Sequence, residues 1–180
     1  MRKRLQDIID ESQHYDVIVL GYGLCGKGTE RLVSRNTILV IPRCQDCIAM
    51  LLGSVEEYKK QFSKEPGTYY LTRGYIGDVE DFIASGFSEI KNKYGRETWD
   101  WIISKLLKNY KRLAFINTGN YNTEKWLKKA KKEARKLKLK FEEINGTNEF
   151  FSKILKGNWD SNFLVLKPGH KVTSDMFLDN

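Results

Sequence analysis

At 180 residues, with 41% apolar and 30% charged side chains, the chain can bury one sizeable core, and a single domain over residues 1–180 is expected. No apolar run approaches the roughly 20 residues of a membrane-spanning helix, and the basic start from Met1 to Gln6 leads into Asp7, Asp10 and Glu11 rather than an apolar signal core. Neither a spanning helix nor a secretory leader is expected, and a cytoplasmic protein is expected. The formal charge of +8 is local: nine Lys or Arg residues fall between Lys125 and Lys140.

In chain order, Arg2 to Ser12 predicts a short amphipathic helix with Leu5, Ile8 and Ile9 on one side. Tyr15 to Gly21 (YDVIVLG) predicts a strand buried on both faces. Gly21, Gly23, Gly26 and Gly28 follow, with Cys25 among them, and predict a tight turn at the start of the next helix. Thr37 to Ile41 is a second buried strand stopped by Pro42, followed by Arg43-Cys-Gln-Asp-Cys47. Asp46 is placed to cap a short helix through Leu52, and Ser54 to Glu57 fits a capping box opening a helix that ends before Pro66. Gly67 to Thr72 is a third strand. Asp78 to Tyr94 and Glu97 to Asn109 predict two helices split at Gly95.

Lys111 to Asn117 predicts a strand ending in Thr118, Gly119 and Asn120, and Thr123 caps the lysine-rich helix, whose buried stripe includes Trp126, Leu127, Ala130, Ala134 and Leu137. Leu139 to Ile144, a helix from about Thr147 to Lys156, and Asn162 to Leu166 complete the pattern. Strands alternating with helices predict a three-layer α/β fold: a mostly parallel sheet with helices on both faces, Rossmann-like. Loops after the carboxyl ends of parallel strands share one edge, where ligands bind. That edge would gather the glycine turn with Cys25, the Arg43 to Cys47 motif, Asn117 with Gly119, and Pro168 to His170. An antiparallel strand would remove its loop from the set.

All three cysteines lie between Asp16 and Cys47, as Cys25 and then a C-x-x-C pair, Cys44 and Cys47. Thiolates are nucleophiles and soft metal ligands. Three of them suit zinc with a fourth ligand such as His170, His14, Asp46 or water, or a [4Fe–4S] cluster with one iron open. A Cys44–Cys47 redox pair and plain packing are the competing readings. Gly21 to Gly26 matches the dinucleotide fingerprint, but the second strand ends Ile41-Pro42-Arg43 where an acidic ribose partner would stand; Arg43 suits a phosphate instead. This supports a second reading, a small-molecule module holding an anionic or nucleotide-like ligand with Gly21, Gly23, Gly26, Arg43, Asn117 and Gly119. A third is a nucleic-acid or protein adaptor using the basic helix over 124–138. Against it, that helix's lysine face lacks the interleaved aromatics of single-strand binders. Tyr69, Tyr70, Tyr75 and Trp159 are read as core or pocket lining, and no Ser-His-Asp spacing is present.

The runs YDVIVLGYGLCGKG, LVIPRCQDCIAMLLGS and PGTYYLTRGY together resemble the family known as domain of unknown function 1638, over nearly the whole chain. The resemblance implies an origin among anaerobic archaea and bacteria and a loose link to corrinoid-dependent methyl transfer. A corrinoid-system protein is then a conceivable partner, and Cys25, Arg43, Asp46 and Cys47 fall in the family motif. Two departures stand out. Longer relatives carry a further N-terminal βα unit with its own Cys and His, and position 45, often His in the family, is Gln45 here.

Overall fold

The computed structural model describes residues 1–76 and 88–178. The chain forms two compact units, Met1–Tyr58 with Thr147–Asn180, and Lys59–Gly146. Each holds a three-stranded sheet. The fold is therefore mixed α/β, as expected, but the single sheet drawn from the strand pattern is divided into two.

In the first unit, α1 (Arg2–Glu11) precedes β1 (Val17–Val19), which pairs in parallel with β2 (Ile38–Pro42). The third strand, β6 (Phe163–Leu166), lies antiparallel to β2, with Leu39 opposite Leu166 and Pro42 opposite Phe163. Alternation along a strand sends successive side chains to opposite faces. Leu39, Ile41, Leu164 and Leu166 accordingly join Leu5 and Ile9 of α1 in one cluster, which also takes in Val172 and Phe177 of the C-terminal segment. Val40 and Phe163 join the other cluster, with Ala49 and Met50 of α2 (Cys47–Leu52) and Phe150 of α7 (Glu149–Lys156). The α1 stripe is narrower than expected, since Ile8 is exposed. At about 100° per residue, Leu5 and Ile9 fall about 40° apart, whereas Ile8 is rotated a further 60° beyond Leu5.

Local signals place α2 and the helix after it. The Asp46 carboxylate accepts from Ile48 N–H at 2.9 Å, capping α2, and Gly53 closes it with φ of 96°. Ser54 Oγ accepts from Glu57 N–H at 3.0 Å at the start of α3 (Val55–Lys64). A short 3₁₀ turn, Ser174–Phe177, closes the described chain of this unit.

The second unit is parallel throughout, with β4 (Arg112–Asn117) between β3 (Thr68–Leu71) and β5 (Lys140–Asn145). Leu113, Ala114, Phe115 and Ile116 are all fully buried, as the central strand of a sheet covered on both sides requires. On one face α6 (Glu124–Leu137) packs Ala130 and Ala134 against Leu71, Leu113 and Phe115. Its first turn is satisfied by Asn122, whose side chain accepts from Glu124 N–H at 3.0 Å; Thr123 makes no side-chain cap bond. After β3 come α4 (Arg73–Ile76) and α5 (Ser88–Leu106), the latter broken at Gly95 (φ 82°, ψ 173°) where the sequence predicts a split. The stretch of the expected helix before Ser88 lies outside the described residues.

Candidate functional site

The carboxyl ends of β1 and β2 carry two turns held side by side by backbone hydrogen bonds. Leu24 N–H donates to Cys44 C=O at 2.8 Å and Cys25 N–H to Gln45 C=O at 2.9 Å, continuing the ladder from Leu20 N–H to Val40 C=O. Gly23 packs so tightly here that a Cβ would stand 2.4 Å from the Cys44 carbonyl oxygen and 2.7 Å from its Sγ. The Thr29 hydroxyl donates to Gly23 C=O at 3.0 Å, and Gly28 N–H to Leu24 C=O at 2.8 Å, closing the loop on itself.

The helix expected after the glycine-rich turn is absent: residues 20–37 hold turns and one isolated bridge, with no helix. Cys25, Gly26 and Lys27 all take positive φ (46°, 62° and 67°), as does Arg31 at 70°. A right-handed helix cannot run through such residues. Burial of Leu24, Thr29 and Leu32 holds this conformation by packing. Cys25 therefore has no helix N-terminus to favour its thiolate, and the dinucleotide fingerprint lacks the helix that would bind pyrophosphate.

The tied turns bring Cys25, Cys44 and Cys47 into mutual electrostatic range, and none forms a disulfide. Burial, then the negative charge of Cys25, Asp46 and Cys47, pushes the Cys44 thiol up to about 12. Cys25 is raised too, first by burial and next by Cys47, while a backbone hydrogen bond at Gly23 pulls the other way. These are neutral thiols at physiological pH. Among the described residues no group of three or more His, Cys, Asp or Glu side chains is placed so that it could hold a metal ion.

Two consequences are measurable. Cys44, at 2% exposure, should resist iodoacetamide at pH 8 while the half-buried Cys25 and Cys47 are labelled, read by mass spectrometry of the folded protein. Burial keeps Cys44 neutral to about 12, whereas the unfolded chain ionises it near 9.0. A raised folded value favours folding fully below pH 9, and that contribution is lost as pH climbs toward 12. Unfolding free energy should fall by up to about 1.4 kcal/mol per pH unit across this window. Urea titrations of the native chain against Cys44→Ala check it, since the variant should lose most of the slope.

Arg43, one residue before Cys44, turns to the opposite face. It lines a cavity of about 350 Å³ with Leu164, Val165 and Leu166 of β6 and with Asp175, Met176 and Leu178. Its backbone is fixed by a 2.7 Å bond from Arg43 N–H to Asn162 C=O, yet its Nε is buried with no hydrogen-bond partner. Gln45 Nε2 donates to Phe177 C=O at 3.3 Å, fastening the C-terminal segment beside this cavity. Sequence reasoning found Arg43 but missed the cavity's other walls, because the NFLVL strand pattern gives no strand direction.

The remaining expected site residues are elsewhere. Since β6 runs antiparallel to β2, the loop carrying His170 leaves at the end of the sheet where β2 begins; Gly169 N–H donates to Ser34 C=O at 2.7 Å, and the His170 ring is exposed beside Lys167 C=O. That removes His170 from the cysteine edge. Asn117 and Gly119 belong to the second unit, where Asn117 Oδ1 accepts from Gly119 N–H at 2.9 Å and Asn117 Nδ2 donates to Glu143 at 2.9 Å. Gly21, Gly23 and Gly26 shape the first loop and do not line the cavity.

Comparison with protein families matches residues 1–155 to the family described as Protein of unknown function (DUF1638). The chain belongs to this family. The match takes in both tied turns, the three cysteines and Arg43, but ends before β6 and the C-terminal wall of the cavity. Neither the curated proteins nor the solved structures contain a match. No helix among the described residues is long and apolar enough to cross a membrane.

Proposed function

We propose that this DUF1638 protein is a small-molecule binding module whose first unit holds an anionic ligand on Arg43. The observation that supports it is the buried, unpartnered Arg43 Nε in the wall of a cavity of about 350 Å³. A buried guanidinium donor without a partner is costly, and a native fold keeps such a group where water, an ion or a ligand completes it. The volume suits a small metabolite, and the apolar walls from Leu164, Leu166 and Met176 suit its carbon skeleton. Arg presents a planar fork matched to carboxylate and phosphate. Asp175 in the same wall favours a ligand that also carries a cationic or donor group.

Calorimetry with inorganic phosphate, citrate and an amino-acid panel, each against the native chain and Arg43→Met, tests this. The expected result is one anion class bound by the native chain and weakened about 10- to 150-fold in Arg43→Met, the range of a charged hydrogen bond. The variant should be as stable as the native chain or more so, because an unsatisfied donor is gone. Equal binding by both chains, or none by the native one, would sink the proposal.

The cysteines support a second and weaker reading, a thiol-ligated metal or iron–sulfur cofactor. It rests on three thiols drawn to one edge, and its four-ligand form lacks His170. Metal and sulfide analysis of anaerobically purified protein decides it: stoichiometric metal lost in both Cys25→Ser and Cys47→Ser supports it, and a colourless, metal-free, folded chain removes it. A three-layer, Rossmann-like reading of the fold is likewise a proposal, supported by the parallel β1–β2 pair and the parallel second sheet.

A further inference from the structure

The chain's positive charge is confined to one unit. Residues 59–146 carry 20 Lys and Arg against 11 Asp and Glu, a balance of +9, while the first unit has 11 against 12, a balance of −1. Helix α6 supplies much of the excess, and the sequence alone assigns its one aromatic, Trp126, to the buried stripe rather than to the lysine face. Tertiary packing changes that picture. Trp126 is only half-buried, and three cations gather over its ring: Lys129 at 5.1 Å, Lys125 at 5.3 Å and Arg73 at 5.8 Å from the centroid. Arg73, exposed at the start of α4, also lies 5.0 Å over the Tyr121 ring, and its N–H donates to the Tyr121 hydroxyl at 3.4 Å.

We propose that the second unit binds single-stranded nucleic acid on this platform of Arg73, Tyr121 and Trp126, with Lys125 and Lys129 taking the adjoining phosphates. Single-strand binding needs two things together, aromatic faces for bases and cations that track the backbone. Both are present within one cluster, at the carboxyl end of β3 and the start of α6. Lysine stems are flexible, so a base can displace an ammonium from the indole while the ammonium moves to a phosphate. Arg73 keeps a planar cation that stacks as well as pairs. The same juxtaposition recurs on α5, where Trp101 is 62% exposed with Lys105 at 5.7 Å. An acidic protein partner would use the charge but leave the aromatic faces without a role, so a nucleic acid fits better. This reading is independent of the Arg43 cavity, which lies in the other unit.

The test is fluorescence anisotropy of the full chain with a labelled 12-nucleotide single strand, as DNA and as RNA, beside a duplex, heparin and a polyglutamate peptide. Binding to the single strands is expected to fall with salt at a slope of about −2 for three phosphate contacts. Trp126→Leu should weaken it about tenfold or more and leave heparin binding unchanged, with Trp126→Phe restoring most of it. Trp126 also packs on the core, so Arg73→Ala with Lys125→Ala provides a surface pair that loses single-strand binding without touching the fold. Arg43→Met should bind as the native chain does. No binding of either single strand, equal affinity for heparin with no effect of the aromatic variants, or tighter capture of polyglutamate would each overturn the proposal.

Discussion

Arg112→Ala is expected to lower the unfolding free energy by about 3–5 kcal/mol, the cost of breaking a buried ion pair from one side. Arg112 opens the central strand β4 and is only 3% exposed. Its Nε donates to Thr68 Oγ1 at 2.8 Å, one terminal nitrogen to Gln61 Oε1 and Glu142 at 3.1 Å each, and the other to Gln61 C=O at 3.2 Å. One guanidinium thus joins β3, β4, β5 and α3, and Glu142 is drawn further to Lys64 at 2.5 Å. Truncation takes the guanidinium donor away from Thr68 Oγ1 and from the Glu142 carboxylate, while the Gln61 carbonyl keeps Glu65 N–H. Arg112→Met should cost less, because an apolar chain of similar length refills the space. Hydrogen bonding from Lys64 first, and then from Arg112, holds the Glu142 carboxyl below its ordinary 4.5. A lowered carboxylate stabilises the fold above that value, and its contribution is lost as pH falls below it, so the native chain should lose an acid-limb stabilisation that Glu142→Gln lacks throughout. Urea unfolding from pH 3 to 7 reads both effects. A loss under about 1 kcal/mol for Arg112→Ala would show that the buried cation does not organise this unit.

Gly23→Ala is expected to cost about 3 kcal/mol and to expose Cys44. The added Cβ would meet the Cys44 carbonyl oxygen at 2.4 Å and Sγ at 2.7 Å. The carbonyl cannot swing away, because it already accepts from Leu24 N–H. The two turns must separate, an overpacking that ranges from about 1 to 3 kcal/mol or more. Neighbouring glycines supply the controls. A Cβ on Gly21 meets nothing within 4 Å, so Gly21→Ala should change stability by no more than about 0.5 kcal/mol. Gly26 also has open space but a φ of +62°, so Gly26→Ala should cost about 1 kcal/mol from backbone strain alone. Thermal unfolding ranks the three, and iodoacetamide should label Cys44 in Gly23→Ala but not in the other two. Equal effects at Gly21 and Gly23 would show that the turns are not locked together.

Much of this was legible in the sequence, wherever the governing forces act within a few residues. The Asp46 cap, the Ser54 cap, the break at Gly95 and the doubly buried β2 and β4 follow from hydrogen bonding to adjacent N–H groups, a backbone preference and strand alternation. The cysteine cluster and Arg43 were found by residue type and spacing. The loop after β1 was misread because its glycines match a helix-opening fingerprint; positive φ at Cys25 and Lys27, imposed by burial of Leu24 and Leu32, decides otherwise.

The sequence by itself determined the alternation of strands and helices, the capping positions, the family and the concentration of all three cysteines between Cys25 and Cys47, because each depends on local periodicity or residue identity. Only the tertiary structure decided that β6 runs antiparallel and takes His170 away, that Asn117 and Gly119 belong to a second sheet, and that Arg43 faces a cavity while Cys44 is buried on the other side. It also set Arg73 against Tyr121 and Trp126 across 48 and 53 positions. Strand direction and long-range side-chain contact depend on how separate segments pack, and a period of 2 or 3.6 records which face is buried without recording its partner.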